Sequence, residues 1–350
     1  MNPQNVIIIG DFLKDLDDEH SLLLAAKLHR DGLINLKCVI ANLKPALLRA
    51  RGAKGTLKLL GLRDIPVGVG RAVYEQEIYP YEDDIPYLAD SFEVISDGAV
   101  LLKQTLRHAQ DKSLTLVLQS GFTDATALFS SSSSLCAKKI AQVVIMGGVE
   151  AGSEKIKLDH RGFMIPNNAN NNVFDWDATL QLYNKLQNIA IPTVITTREA
   201  AYACKFPLSM NKMMADTGNP IGSCLKSRQE SVLHYMWKAA CSPAGSQTRG
   251  TIPIDRDRDW FIRVYCDGLG PFADEDKDIR PFLKTFNLYD PINLVAAIPV
   301  LRKRFFRPTE VKINSTTHLV IGVSAENHGV RDPQALRDFI IENEIAALRN

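Results

Sequence analysis

The chain has 350 residues, of which 45% are hydrophobic and 23% are charged, and its formal net charge is +1. This near-neutral balance gives no reason to expect nucleic acid or an anionic membrane surface as a partner. No apolar run approaches the ~20 residues that span a bilayer, and the N-terminus, MNPQNVIIIGD, lacks the basic region of a secretory signal. The six cysteines form no CxxC pair, which predicts buried free thiols in a reducing, cytoplasmic compartment.

The candidate site begins near the N-terminus, where a predicted strand runs into a predicted helix. A β-branched apolar run over 6–9 predicts a buried strand, which Gly10 ends. Apolar periodicity resumes over 19–30 and predicts a helix. The turn between them carries four aspartates within eight residues, Asp11, Asp15, Asp17 and Asp18.

Four carboxylates this close repel one another unless a positive charge neutralises them. A hard cation with oxygen ligands meets that need, and calcium tolerates a crowded, irregular set of oxygens better than magnesium does. The alternative is helix capping, since aspartate is favoured near a helix N-terminus. One or two of the acids fit capping but four do not, so the pattern favours a metal or sugar site.

Strands and helices alternate along the chain as far as residue 196. After the first pair, the pattern predicts strands at 36–41, 65–69, 114–118, 143–146 and 191–196, with helices at 45–60, 99–109 and 175–186. This alternation predicts an α/β fold with an open, mostly parallel, doubly wound sheet and helices on both faces. We find no internal repeat and no dividing linker, so we expect a single domain over 1–350.

The C-terminal part of the chain departs from this alternation. Residues 208–242 are predicted to be mainly helical, and 311–314 with 319–323 resemble a terminal β-hairpin. Asp290 is predicted as the N-cap of a helix that has Pro291 at its first position. Two irregular stretches, 71–97 and 243–258, are long enough to act as lids over a ligand site.

Ligands in an open parallel sheet bind outside the carboxyl ends of the strands. On that edge the sequence places Asp11, Asn42, Thr123 and Gly148, each after a predicted strand. An asparagine-rich segment, 167–172, follows on the same edge, and amides can both donate to and accept from sugar hydroxyls. Asparagine is also a common turn residue, so a sugar contact and a polar turn both stay open for this segment.

Nearly the whole chain resembles the nucleoside hydrolase family, the inosine-uridine-preferring ribohydrolases. The acidic turn is similar to the family's DxDxGxDD signature, and LRDIPVGVG at 62–70 is similar to the approach to its third strand. VVIMGG at 143–148 resembles the family's glycine pair, and LYDPINLVAA at 288–297 resembles its late His-Asp-Pro helix opening. The acidic turn also resembles a divergent, nucleoside hydrolase-like branch sometimes labelled cellulose-binding.

The resemblance implies a calcium ion held by Asp18, Asp290, the carbonyl of Thr123 and an aspartate of the first strand, which we assign to Asp11. It also implies that Asp11 is the catalytic residue, which deprotonates the water that attacks the anomeric carbon. The ribose passes through an oxocarbenium-like state, as in glycosidases. The predicted ligand contacts are Asp17, Asn42, Asn170, Asn171 and Tyr289.

The acidic turn departs from the family's pattern in its length. Counted back from Asp17 and Asp18, the family's base-like aspartate falls on Leu13, which can neither bind a metal nor accept a proton. Counted forward from the strand, it falls on Asp11, with a turn two residues longer. We prefer the forward count, because it keeps the carboxylate at the strand end.

Two further departures concern the ligand. Tyr289 stands where the family usually has a histidine, and Ala169 stands where a ribose-binding glutamate is expected. The leading prediction is a calcium-dependent hydrolase of the N-glycosidic bond of ribonucleosides or related ribosides. The alternative is a catalytically inactive carbohydrate- or nucleoside-binding protein on the same fold. The expected partner is a small nucleoside or sugar, and the sequence leaves a homo-oligomer open.

Overall fold

The computed structural model describes residues 3–14, 16–72, 85–152, 155–250, 252, 254–268 and 278–349. Asp15 of the acidic turn lies outside these residues, and so does the middle of the irregular stretch at 71–97. Among the helices that are described, none combines the length and the apolar character needed to cross a membrane.

The strands come in the order that the apolar runs predict. In the described residues they are β1 (Gln4–Gly10), β2 (Ile34–Ala41), β3 (Val67–Val69), β4 (Leu114–Leu118), β5 (Ile140–Met146), β6 (Thr193–Thr196), β7 (Phe206–Pro207), β8 (Thr285–Phe286), β9 (Thr309–Ile313) and β10 (Thr316–Ile321).

Helices separate the strands and follow them. They are α1 (Asp17–Arg30), α2 (Ala46–Leu59), α3 (Gly98–His108), α4 (Thr123–Ser131), α5 (Ser133–Lys139), α6 (Asn170–Val173), α7 (Trp176–Asn188), α8 (Arg198–Ala203), α9 (Ser209–Ala215), α10 (Pro220–Cys241), α11 (Arg258–Tyr265), α12 (Asp290–Ala297), α13 (Pro299–Phe305) and α14 (Pro333–Leu348).

Eight of the strands form one sheet in the order β3-β2-β1-β4-β5-β6-β10-β9. The neighbours from β3 to β10 pair in parallel, and β10 pairs with β9 antiparallel. The predicted terminal hairpin therefore extends the main sheet. The prediction of an α/β fold with a mostly parallel sheet is confirmed.

The central strands are apolar on both faces because helices cover both sides of a parallel sheet. Residues 6–9 of β1 are each at most 1% exposed, and every residue of β4 is buried. Below the carboxyl edge, the apolar side chains of β1, β2, β4, β5 and β6 join one core with those of α3, α4 and α7. This core holds the strand ends, and therefore the residues that follow them, in place.

The described chain divides into two compact units. The first, Met1–Cys204 with Leu288–Leu348, contains the eight-stranded sheet, and the second is Lys205–Asn287. The second unit packs α10 and α11 around an aromatic cluster, in which the rings of Trp237 and Phe261 have centroids 5.3 Å apart. The single domain over 1–350 stays a prediction.

Two helix starts differ from the prediction. Helix α1 begins at Asp17 rather than Glu19, so Asp17 and Asp18 occupy its first turn, where the helix dipole favours negative charge. Asp290 was predicted as an N-cap but is the first residue of α12. Its carboxylate lies with those of Asp17 and Asp18.

His318 on β10 is a titratable group buried within the sheet unit. It is 0% exposed, and its Nδ1 lies 2.8 Å from the hydroxyl of Thr193. Burial lowers the pKa of this imidazole from 6.5 to about 4. The folded protein therefore keeps His318 neutral at pH values at which the unfolded chain protonates it.

This pKa difference predicts a loss of stability in acid. Between pH 6.5 and about 4 the unfolded state binds the proton and the folded state does not, so the free energy of unfolding falls as the pH falls. We expect His318→Gln to lose less of that free energy between pH 7 and pH 5 than wild type, as measured by urea denaturation. Exposed His108→Gln is the matched control and should follow wild type. An equal pH dependence in wild type and His318→Gln would contradict the assignment.

Candidate functional site

Polar residues that follow three neighbouring strands lie side by side at the carboxyl edge of the sheet, and two of them were predicted as site residues. Asp11 follows β1, Asn42 follows β2 and Gln119 follows β4. The backbone N–H of Asn42 donates to the carbonyl of Gly10 at 3.0 Å, and that of Gln119 donates to the carbonyl of Ile9 at 2.8 Å. Strand pairing thus continues one residue past the strand ends and sets these polar residues side by side.

A tight turn over residues 11–14 follows β1. The Lys14 N–H donates to the Asp11 carbonyl at 3.0 Å and closes the turn. Leu13 has φ 71°, a left-handed conformation that costs energy for a residue with a Cβ. Its side chain fills the space beside Gly52, where an added Cβ would lie 2.5 Å from a Leu13 methyl carbon. Packing against α2 therefore holds the turn in this conformation.

The guanidinium of Arg49 binds the same turn from α2. Arg49 is 1% exposed, and its Nη1 donates to the carbonyls of Asp11 at 3.1 Å and Phe12 at 3.2 Å. Its Nε and Nη2 donate to the carbonyl of Lys44 at 3.2 Å and 2.7 Å. Arginine carries its five donors in a rigid fork. One side chain therefore fixes both the acidic turn and the segment that leads into α2.

Three carboxylates meet at this edge, those of Asp17, Asp18 and Asp290. Each offers an oxygen, and these oxygens lie within 4.8 Å of one another. Asp18 is 1% exposed and Asp290 is 2% exposed. Asp17 and Asp18 stand in the first turn of α1, and Asp290 begins α12. The positive ends of two helix dipoles therefore stabilise the negative charge of one group of acids.

Backbone donors also hold these acids. The N–H of Asp11 donates to Oδ1 of Asp18 at 3.0 Å, and the N–H of Tyr289 donates to Oδ2 of Asp17 at 3.3 Å. A Cβ at Gly10 would lie 2.3 Å from Oδ1 of Asp18, too close for any side chain without a shift of the carboxylate. Glycine at the end of β1 therefore lets the Asp18 carboxylate approach the strand.

Gln119 connects the strand ends to the helix that carries Asp290. Its Nε2 donates to the Asp290 carbonyl and to the Ser21 hydroxyl, both at 2.8 Å. Asn171, a predicted ligand contact, donates from Nδ2 to the carbonyls of Gln119 at 3.0 Å and Met146 at 3.1 Å. The amide nitrogen of Asn171 thus ties the ends of β4 and β5 together.

Asp11 was predicted both as a metal ligand and as the base, and it pairs with Lys14. Lys14 Nζ lies 3.6 Å from Oδ2 of Asp11, and both side chains are at most 5% exposed. The same ammonium lies 4.6 Å from the ring centroid of Phe174, a cation–π contact. Among the described residues, the carboxylates that could hold a metal ion are those of Asp17, Asp18 and Asp290. Asp11 contacts this group through its backbone N–H, which donates to Asp18.

Asn42 is wholly buried, and its side chain is engaged within the protein. Its Nδ2 donates to the carbonyl of Gly121 at 2.9 Å and to Oδ2 of Asp124 at 3.0 Å, and its Oδ1 accepts from the Ser120 hydroxyl. Burial raises the pKa of Asp124, and the hydrogen bonds from Asn42 and from the Arg71 N–H partly offset that rise. Asn42 braces the start of α4, and its contact with a ribose stays a prediction.

The other predicted residues lie on the same unit. Thr123 begins α4, and its hydroxyl donates to Oδ2 of Asp175 at 2.5 Å. Asn170 begins α6 and is exposed. The ring of Tyr289 packs edge-on against Tyr202, with centroids 6.3 Å apart. The metal contact of the Thr123 carbonyl and the ligand contacts of Asn170, Asn171 and Tyr289 stay predictions.

Sequence reasoning missed three residues that shape this edge, Lys14, Arg49 and Gln119. Gln119 follows a predicted strand, so the strand-end rule could have identified it. Lys14 is the one cation among the acids of the turn, and its charge was an available signal. Arg49 gave no local signal, because its role arises from the way α2 packs on the turn.

The group of three acids fits a hard divalent cation. Carboxylate oxygens are the ligands that calcium prefers, and like charges this close repel until a cation neutralises them. An ionised carboxylate has about four lone-pair positions, so Asp17 and Asp18 can bind a cation while they accept their backbone hydrogen bonds. Calcium takes about 6–8 oxygens, so water and ligand hydroxyls would complete its shell.

No protein-family model matches the chain, and no curated protein sequence matches it. Solved structures resemble it along almost its whole length. The type III effector protein XopQ, complexed with adenosine diphosphate ribose, is 28% identical with a TM-score of 0.83, covering 99% of this chain and 94% of that chain. The effector protein XOO4466 is 27% identical with a TM-score of 0.80 and the same coverage.

A ribonucleoside hydrolase also resembles the chain, at lower identity. The purine-preferring ribonucleoside hydrolase from Gardnerella vaginalis is 14% identical with a TM-score of 0.60, covering 99% of each chain. The chain has the nucleoside hydrolase-like fold. The sequence resemblance is therefore confirmed at the level of the fold. The three acids lie at the carboxyl edge of the sheet, which is the edge at which open parallel sheets generally bind ligands.

The contacts of Arg49 predict that Arg49→Met destabilises the protein. The substitution keeps much of the buried apolar volume but leaves the carbonyls of Asp11, Phe12 and Lys44 without these donors. We expect a loss of about 3 kcal/mol in the free energy of unfolding. Denaturant titration measures it, and Arg107→Met on the exposed side of α3 is the control that should stay close to wild type. Equal losses in the two variants would argue against the role of Arg49.

Proposed function

We propose that the chain binds a ribosyl compound at a calcium ion held by Asp17, Asp18 and Asp290, and that it hydrolyses the N-ribosyl bond of that compound. The observation that carries the proposal is the meeting of three carboxylates from two helix N-termini at the carboxyl edge of a nucleoside hydrolase-like sheet. Open parallel sheets bind their ligands at this edge.

The comparisons support the class of ligand. XopQ is 28% identical to this chain and is complexed with adenosine diphosphate ribose, and the Gardnerella vaginalis enzyme is a ribonucleoside hydrolase with the same fold. Adenosine diphosphate ribose and ribonucleosides both contain a ribose joined to a base. A ribonucleoside, or a nucleotide that contains such a ribosyl group, is therefore the class that we propose.

The residues of this edge have distinct roles in the proposed reaction. A bound calcium would polarise the attacking water and orient the ribose hydroxyls. Asp11 would accept the proton of that water at a carboxylate oxygen. The acids around the ribose would stabilise the positive charge that develops on the ring as the bond to the base breaks. Proposed further contacts to the ion come from Asp11 and the Thr123 carbonyl, and contacts to the ligand come from Asp17, Asn42, Asn170, Asn171 and Tyr289.

A second candidate function is binding without hydrolysis. The ion pair between Asp11 and Lys14 favours it, because the ammonium competes with a water proton for the carboxylate that would act as the base. Tyr289 favours it too, since the aromatic ring stands where the resemblance to nucleoside hydrolases leads us to expect a histidine. The same calcium and ribosyl group would then be bound but not processed.

The first prediction from this proposal concerns the ion. Asp18→Asn and Asp290→Asn each remove a negative charge while keeping one oxygen, so each should weaken calcium binding at least ~10-fold. Calorimetry on chelator-stripped protein measures the affinity. Asp177→Asn is the matched control, because Asp177 is an exposed aspartate in the first turn of another helix. Unchanged affinity in both site variants would refute the metal site.

The second prediction separates the two candidate functions. Asp11→Asn keeps the shape of the side chain and removes most of its basicity, so turnover should fall by at least ~10²-fold while ligands still bind. The assay is release of the base or aglycone from ribonucleosides, aryl ribosides and adenosine diphosphate ribose, with calcium present. If wild type binds these compounds and releases nothing, binding without hydrolysis is the function. If Asp11→Asn is as active as wild type, the base lies elsewhere, and Asp15 or Asp17 is the next candidate.

A further inference from the structure

Lys14 is a buried lysine in the middle of the acidic turn. It is 4% exposed, and lysine is rarely buried to this extent unless it is paired. It pairs with Asp11, at 3.6 Å, and the Phe174 ring faces the same ammonium. The proposed reaction gives Lys14 no role.

The backbone brings Asp11 to the edge of the three-acid group, although its side chain pairs with Lys14. The N–H of Asp11 donates to Oδ1 of Asp18 at 3.0 Å, so the two residues are one hydrogen bond apart. This backbone placement makes the Asp11 carboxylate the candidate fourth carboxylate ligand for a cation bound by Asp18. A bound cation and the Lys14 ammonium would therefore compete for the Asp11 carboxylate.

We propose that Lys14 is a positioning residue that draws the Asp11 carboxylate toward itself and thereby limits the calcium affinity of the group formed by Asp17, Asp18 and Asp290. This inference rests on the proposed calcium site. Two effects act in the same direction. The ammonium competes for a potential fourth carboxylate ligand, and it repels a nearby divalent cation across a buried environment that screens charge poorly.

The test is calcium binding by Lys14→Met, measured by calorimetry on chelator-stripped protein. Methionine keeps the apolar stem and can pack its sulfur on Phe174, so the change is mainly the loss of the charge. We expect calcium affinity to rise about 10-fold or more, because the fourth carboxylate is released and a repulsive charge is removed. Damage to the fold would lower the affinity, so a rise is not produced by a merely structural role.

Three further variants make the test specific. Lys27→Met is the matched control, because Lys27 also pairs with an aspartate, Asp31, but toward the far end of α1. It should bind calcium as wild type does. Lys14→Arg keeps the charge and should stay near wild type. In the double variant Lys14→Met with Asp11→Asn, the gain should be smaller than in Lys14→Met alone, because the released carboxylate is gone.

The outcomes distinguish this inference from the proposed function. If wild type binds no calcium, the metal site and this inference both fail. If wild type binds calcium, Asp18→Asn weakens it, and Lys14→Met binds no more tightly than wild type, the metal site stands and the role of Lys14 is refuted. An equal gain in Lys27→Met would also refute it, because the effect would then be one of net charge alone.

Discussion

Repulsion between carboxylates is the constraint on which the carboxyl edge of this sheet depends. Asp17, Asp18 and Asp290 bring three oxygens within 4.8 Å of one another, a cost that the fold must offset. It does so with the positive ends of two helices and with backbone N–H donors to Asp17 and Asp18. A bound cation is the remaining neutraliser that we propose. The glycine that ends β1, the start of α1 and the start of α12 all adjoin this group of acids.

The sequence predicts the sheet well because its signals are local. Apolar runs and the aspartates that follow them can be recognised without tertiary structure, and the strand-end rule then places Asp11 and Asn42 on one edge. The approach of Asp290 to Asp17 is a long-range contact: the N–H of its neighbour Tyr289 donates to Asp17, 272 positions away in the chain. Only the family resemblance indicated this approach. The hydrogen bonds from Arg49 to the carbonyls of the turn could not be predicted, because they depend on where α2 packs.

The length of the acidic turn distinguishes the two ways of counting from strand to helix. Leu13 is 1% exposed and packs beside Gly52, so its place in the structure is that of an apolar anchor for the turn. Asp11 stands directly after β1, at the carboxyl edge of the sheet. Both placements agree with the forward count, which stays a prediction. The left-handed conformation of Leu13 and the carbonyl contacts of Arg49 hold the turn in its conformation.

The positive charges within the turn let the chain fold without depending on a bound ion. A buried charge without compensation costs several kcal/mol, and a group of acids that relied on an ion alone would fold only when the ion was present. Here Lys14 supplies one positive charge from within the chain, and backbone donors and helix dipoles supply partial charges. A bound ion would therefore have less negative charge to neutralise. If the proposed role of Lys14 holds, one buried lysine tunes the ion affinity of the site while the fold keeps its own support.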